Sequence, residues 1–255
     1  QGYLRNPLAD PYLLGAASGA GFGAALAMVY GASFAALGAL GVGGSAFLVA
    51  AATVVAVVAL ARRAGRLPVV SLILAGVVMG SSLSAATSFV MLADRERTAG
   101  VLAWLLGSFA FASWRDVALL AAVMAASLPA ALAARRAFDL LTLGETSARQ
   151  LGLPVEPFKW AVVGVATLVT AAAVSVAGVI GFVGLIVPHA VRLAVGPEHR
   201  ELVPLSALWG AAFLVLADLV ARSTLGAGEL PVGVVTALVG GPFFLVLLRR
   251  GREAT

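Results

Sequence analysis

The sequence predicts an all-α fold, a polytopic bundle of transmembrane helices, on three observations. Hydrophobic residues make up 61% of the 255 and charged residues only 11%, against roughly 25% charged in an average soluble domain. Apolar runs recur at the length a bilayer requires. Lys and Arg are divided unevenly between the segments that separate those runs. A soluble globule of this length needs far more polar surface, so the apolar excess faces lipid. At about 20 residues per span there is room for eight or nine spans and no large aqueous domain. Residues 1–255 are therefore read as a single transmembrane domain.

Eight spans are expected, at about 11–30, 44–60, 69–92, 117–134, 160–177, 181–195, 203–221 and 231–248. The fifth and sixth are separated only by Gly178, Gly181 and Gly184 within one uncharged stretch. Charge decides the split. With all eight spans crossing, 13 of the 17 Lys and Arg fall on one side and only Arg95, Arg97, Arg115 and Arg222 on the other. That asymmetry puts both ends of the chain in the cytoplasm. Merging the two spans sends Arg192, Arg200 and the basic C-terminus outside. The chain opens Gln1-Gly2 without Met or a signal sequence, and is expected to lack its natural start.

Composition also removes several functions. The formal charge of +5 is scattered between apolar runs and forms no nucleic-acid stripe. Without cysteine there are no disulfides or thiolate sites. A phosphate-binding loop needs Gly-Lys-Ser or Gly-Lys-Thr, and the sole lysine sits in Phe158-Lys159-Trp160. Any ATP hydrolysis therefore belongs to another subunit.

In the first span Gly15, Gly19 and Gly23 recur every fourth residue and allow close approach of a neighbouring helix. Gly76, Gly80, Ser84 and Ser88 repeat that spacing in the third span, and Gly233, Thr236 and Gly240 share a face of the last. Such stripes either line a polar pathway or pack, with hydroxyls bonded back to helix carbonyls; taken singly, packing is the better reading. Charged groups within the spans are almost missing, against the pattern of ion-coupled carriers. Asp218 precedes Arg222 by four residues and reads as a local ion pair. His189, after Pro188, reads as a hydrogen-bonded structural histidine ahead of a proton relay. An intramembrane Ser18–His189 protease dyad is the remaining enzyme reading, with nothing to bring the two together.

The longest charged connection, residues 135–159, holds Thr142 and Thr146 as candidate N-caps, with Glu145 three residues after Thr142. Gly152 and Pro154 supply a helix stop. A short helix parallel to the membrane is expected, with Leu143, Ala148 and Leu151 able to dock on a soluble partner. Its bland alternative is a capped connector.

Four stretches, RNPLADPYLLG at 5–15, LGETSARQLGL at 143–153, GVIGFVGLIVPH at 178–189 and ELPVGVVT at 229–236, occur in this order. Together they resemble the FecCD-type permease family of ABC importers for iron-siderophores, haem and cobalamin. The resemblance implies a ten-helix permease fold of which eight spans are present, the first two being absent. It also implies a homodimer, a pair of cytoplasmic ATPase subunits that use ATP and Mg, and an extracytoplasmic binding protein. No cofactor is expected on this chain. By the same resemblance the segment at about 136–158 is a coupling segment, in which Gly144, Glu145, Ser147, Ala148, Arg149, Gln150, Leu151 and Gly152 engage the ATPase. The stripes Gly76, Gly80, Ser84, Ser88 and Gly233, Thr236, Gly240 line the translocation pathway, and Arg222 meets the binding protein. The loop at 94–114, with Trp104 and Gly107, resembles a short outer gating helix.

Overall fold

A computed structural model describes residues 1, 10–62, 67–110, 112–224 and 230–252. Of the residues quoted above, Gly2, 5–9 and Glu229 lie outside this set, as do Arg63 and Arg66 of the 13 basic residues counted on one side. Every regular element among the described residues is helical. A 3-10 turn (Pro11–Leu14) leads into α1 (Ala16–Tyr30), followed by α2 (Ala35–Ala61), α3 (Val69–Ala93) and the short α4 (Thr98–Leu105). After α5 (Trp114–Ala133) come two short helices, α6 (Arg135–Thr142) and α7 (Glu145–Gln150), and then α8 (Val155–Ala177). The chain closes with α9 (Val183–Val195), α10 (His199–Thr224) and α11 (Val232–Arg252).

Among the described residues five helical stretches are long and apolar enough to cross a membrane: Gly38–Ala61, Val69–Ala93, Trp114–Ala133, Val155–Ala177 and His199–Thr224. With the shorter apolar helices Ala16–Tyr30, Val183–Val195 and Val232–Leu245, they account for the eight expected spans. The α8–α9 split is present: helix geometry ends at Gly178 (φ 70°) and resumes after Phe182 (φ 68°). The second helix begins earlier than expected, with a kink at Gly41 (φ 67°).

The core is built from small residues. Gly19 and Gly23 of α1 face Thr53 and the Ser45 carbonyl of α2 so closely that an added Cβ would collide. Ala20, Ala24, Ala46, Ala50 and Ala171 are buried together where α1, α2 and α8 meet. In lipid, apolar surface gains nothing by leaving one hydrocarbon for another, so helices associate through such close backbone packing. Large apolar side chains accordingly point outward, as Val55, Phe89, Leu193 and Leu216 do. Hydroxyls within the spans bond back along their own helices, as in Thr53 to Val49, Thr87 to Leu83 and Thr167 to Val163.

The break between α8 and α9 leaves backbone groups without helical hydrogen-bond partners. Tyr12 closes part of that gap, its hydroxyl donating to the Ile180 carbonyl at 2.9 Å and accepting from the Ile180 amide at 3.2 Å. Ser108 donates its amide to the Ala177 carbonyl at 2.9 Å. An apolar cavity of about 530 Å³ lies between α5, α8 and α10, lined by Met124, Leu128, Val162, Ala166, Val203 and Ala207. None of the residues singled out in the sequence as site residues borders it.

Candidate functional site

Two short helices replace the one expected between α5 and α8. Thr142 closes α6, its hydroxyl donating to the Asp139 carbonyl at 2.7 Å, and Thr146 lies inside α7. The N-cap of α7 is Gly144, at φ 104°, a conformation glycine reaches at little cost. The capping-box expectation at Thr142 is therefore corrected: the chain turns at Gly144, and no side chain caps α7.

α7 is held against α8 by four charged side chains. Lys159 Nζ lies 2.7 Å from Glu145 Oε1 and 3.5 Å from Glu156 Oε1, although Lys159 is only 2% exposed. Arg149 Nη2 is 3.0 Å from Glu156 Oε1 and 3.6 Å from Glu145 Oε2. A buried ammonium is tolerated only beside carboxylates, so Lys159 fixes Glu145 and with it the start of α7. Ala148 turns inward to pack on Leu141 and Val155. This corrects the expectation that Ala148 offers a docking contact. Leu143 and Leu151 remain 63% and 60% exposed at the two ends of α7, with Gln150 and Gly152 beside the latter. Ser147 is half-buried.

α6 is secured separately. Asp139 Oδ1 is 2.6 Å from His199 Nδ1 and accepts the His199 amide at 3.2 Å, joining α6 to the start of α10. The His199 ring stacks on Phe138 at 5.4 Å, and Phe138 meets Phe158 of α8 edge to face. Sequence reasoning missed Lys159, Glu156, His199 and Tyr12 as structural anchors; each draws its partner from a distant turn or a separate helix.

The expected pathway stripes divide. A Cβ on Gly76 would strike the Leu13 carbonyl, and one on Gly80 would touch Ser18. Gly233 packs on the Leu106 carbonyl, and Gly240 receives the ring of Phe182. Thr236 is fully buried, its hydroxyl donating to the Gly233 carbonyl at 3.1 Å. Gly76, Gly233, Thr236 and Gly240 thus pack closely within the chain, whereas Gly80 is partly exposed and only in ordinary contact with Ser18. Ser84 and Ser88 differ, being exposed: Ser84 lies 3.4 Å from Ser18 Oγ and Ser88 bonds back to the Ser84 carbonyl.

Arg222 Nε bonds Asp218 Oδ2 at 2.8 Å, as the spacing predicts, leaving the Arg222 side chain 44% exposed. The expectation for His189 is corrected. Among the described residues neither buried ring nitrogen has a hydrogen-bond partner, and the ring stands edge-on to Phe243 at 6.3 Å. No hydrogen bond joins it to Ser18, so the Ser–His dyad has no geometric support. Among the described residues no cluster of His, Asp and Glu forms a metal site. In the expected gating loop α4 is followed by Gly107 at φ 71°, and Phe111 lies outside the described residues.

A bundle of eight apolar helices with few internal charges and an ion-paired helical extension defines a multi-pass helical membrane protein. The profile of the FecCD transport family matches residues 1–250. The chain is 46% identical over 249 residues to the cobalamin import system permease protein BtuC of Halobacterium salinarum, covering 98% of this chain and 66% of the relative. It is 35% identical over 254 residues to the hemin transport system permease protein HmuU of Yersinia pestis, covering 99% and 76%. A solved structure described as an inward-facing metal-chelate type ABC transporter superimposes with a TM-score of 0.88 at 33% identity, covering 98% of this chain and 79% of that one. This chain belongs to the FecCD transport family. It spans about two thirds to three quarters of the length of these curated relatives.

Proposed function

We propose that this chain is the permease subunit of an ATP-binding cassette importer that carries a metal chelate or corrinoid, an iron-siderophore, haem or cobalamin, into the cytoplasm by alternating access. Two copies form a homodimer in the lipid bilayer, with both ends of the chain cytoplasmic as the distribution of Arg and Lys favours. A pair of cytoplasmic ATPase subunits binds ATP and Mg, and this chain holds no cofactor. An extracytoplasmic binding protein delivers the substrate and meets Arg222.

The observation that carries this reading is the form of α7. Its ends present Leu143 and Leu151, both largely exposed, while Glu145 and Arg149 anchor it to Lys159 and Glu156. Exposed leucines flanking a rigidly held helix outside the apolar spans suit insertion into a groove of a soluble partner. When ATP closes the ATPase pair, α7 moves with it, and the permease dimer opens to one side of the membrane at a time. The exposed hydroxyls Ser84 and Ser88 remain as candidate pathway contacts on α3. A wall with few charges suits passage of a large substrate through weak contacts.

The test is substrate-stimulated ATP hydrolysis by the permease reconstituted with its ATPase. Replacing Leu143 and Leu151 together by Asp is expected to abolish stimulation and co-purification of the ATPase. Unchanged stimulation by that variant would contradict the assignment of α7.

A further inference from the structure

We propose that Glu156 is a positioning residue that ties α7 to the head of α3, so that displacement of α7 reaches α3 through one side chain as well as through the bundle. This rests on the reading of α7 as the ATPase-docking helix. Glu156 lies in the first turn of α8, and its two oxygens serve different parts of the chain. Oε1 holds Arg149 of α7 at 3.0 Å. Oε2 accepts the amide of Leu67 at 3.3 Å, two residues before α3 begins.

The surrounding packing makes that bond a mechanical link. Leu67 is fully buried and packs in one cluster with Leu72 of α3 and Val163 of α8. At the other end of the α2–α3 connection, the Arg62 guanidinium sits 5.7 Å over the Trp160 ring. Both ends of the connection therefore rest on the first turns of α8, the same turns that hold α7. Lys159 reinforces the arrangement from below. Pulling α7 away would take Glu145 off a buried ammonium, which burial makes costly. α7, the start of α8 and the head of α3 are thereby constrained to shift together. α6 has its own attachment, to α10 through Asp139 and His199.

The test uses the complete transporter, permease with ATPase and binding protein, in lipid nanodiscs. These 255 residues hold no cysteine, and Val70 in the first turn of α3 is 69% exposed. A spin label at Val70→Cys reports the distance between the two copies of α3 by pulsed electron paramagnetic resonance, with and without ATP. In the parent, nucleotide is expected to change that distance. In Glu156→Ala the change is expected to be lost and uptake to fall about tenfold, the size expected when a coupling contact is removed. The ATPase should remain bound through Leu143 and Leu151, which the substitution leaves in place, and uptake is read against the ATPase activity of the same sample. Lys159→Met, which keeps the Glu156–Leu67 bond but loosens α7, should show the same pattern. If Glu156→Ala fails to accumulate, Glu156→Gln, which keeps an acceptor for the Leu67 amide, is expected to show a partial loss. A full distance change with full uptake in these variants overturns the proposal. So does loss of uptake only in proportion to lost ATPase, which would make Glu156 a docking support. A parent that binds no ATPase overturns the docking reading itself, and this proposal with it.

Discussion

The Tyr12 hydroxyl donates to the carbonyl of Ile180 and accepts from the amide of the same residue, bridging 168 positions of sequence to close a gap in helical structure between α8 and α9. Tyr12→Phe removes both bonds with little change of shape. Stranding buried backbone groups costs about 1–3 kcal/mol each. The variant is expected to unfold at lower temperature in detergent and to exchange its amides faster at 178–182. Equal stability and equal exchange would show that water or lipid headgroups satisfy Ile180.

Gly76→Ala is expected to be strongly destabilising, because its Cβ would meet the Leu13 carbonyl, and overpacking of a close site costs about 1–3 kcal/mol. Gly164→Ala is the matched control, with open space around the added methyl. Thermal unfolding of the two variants side by side measures the difference. Equal melting temperatures would mean that the 3-10 turn shifts freely away from α3.

Arg222→Glu separates a local role from a docking role. The exposed pair with Asp218 contributes only about 0–1 kcal/mol, so thermal stability should barely move. Affinity for the binding protein should fall, and fall less at high salt, where exposed charges are screened. Surface plasmon resonance at two salt concentrations checks this. An unchanged affinity removes Arg222 from the docking surface.

Much of the fold was legible because the bilayer imposes it. Span length, the glycines that break α8 from α9 and the four-residue step from Asp218 to Arg222 are all local signals. The short helical connection between α5 and α8 was legible in outline, through the stop signal at Gly152 and Pro154, but its internal arrangement was not. Lys159 reads as one more solvated cation until α7 folds back and brings Glu145, fourteen positions earlier, to within 2.7 Å. The packing of the small-residue stripes was hidden for a different reason. Periodicity shows that Gly233, Thr236 and Gly240 share a face, but says nothing about which neighbour that face meets, and Phe182 with the Leu106 carbonyl occupies it. His189 offered no local cue to its missing partners.

The central claim is that this chain is a conduit driven by a separate ATPase. Its most direct measurement is concentrative uptake of labelled cobalamin, hemin and iron-siderophore into proteoliposomes, with and without the partner ATPase and with an ionophore that collapses ion gradients. Uptake of one of these substrates is expected only when ATPase, ATP and binding protein are all present, and it should survive the ionophore. Uphill uptake by the permease alone, or uptake that collapses with the gradient while ATP is maintained, would contradict the account.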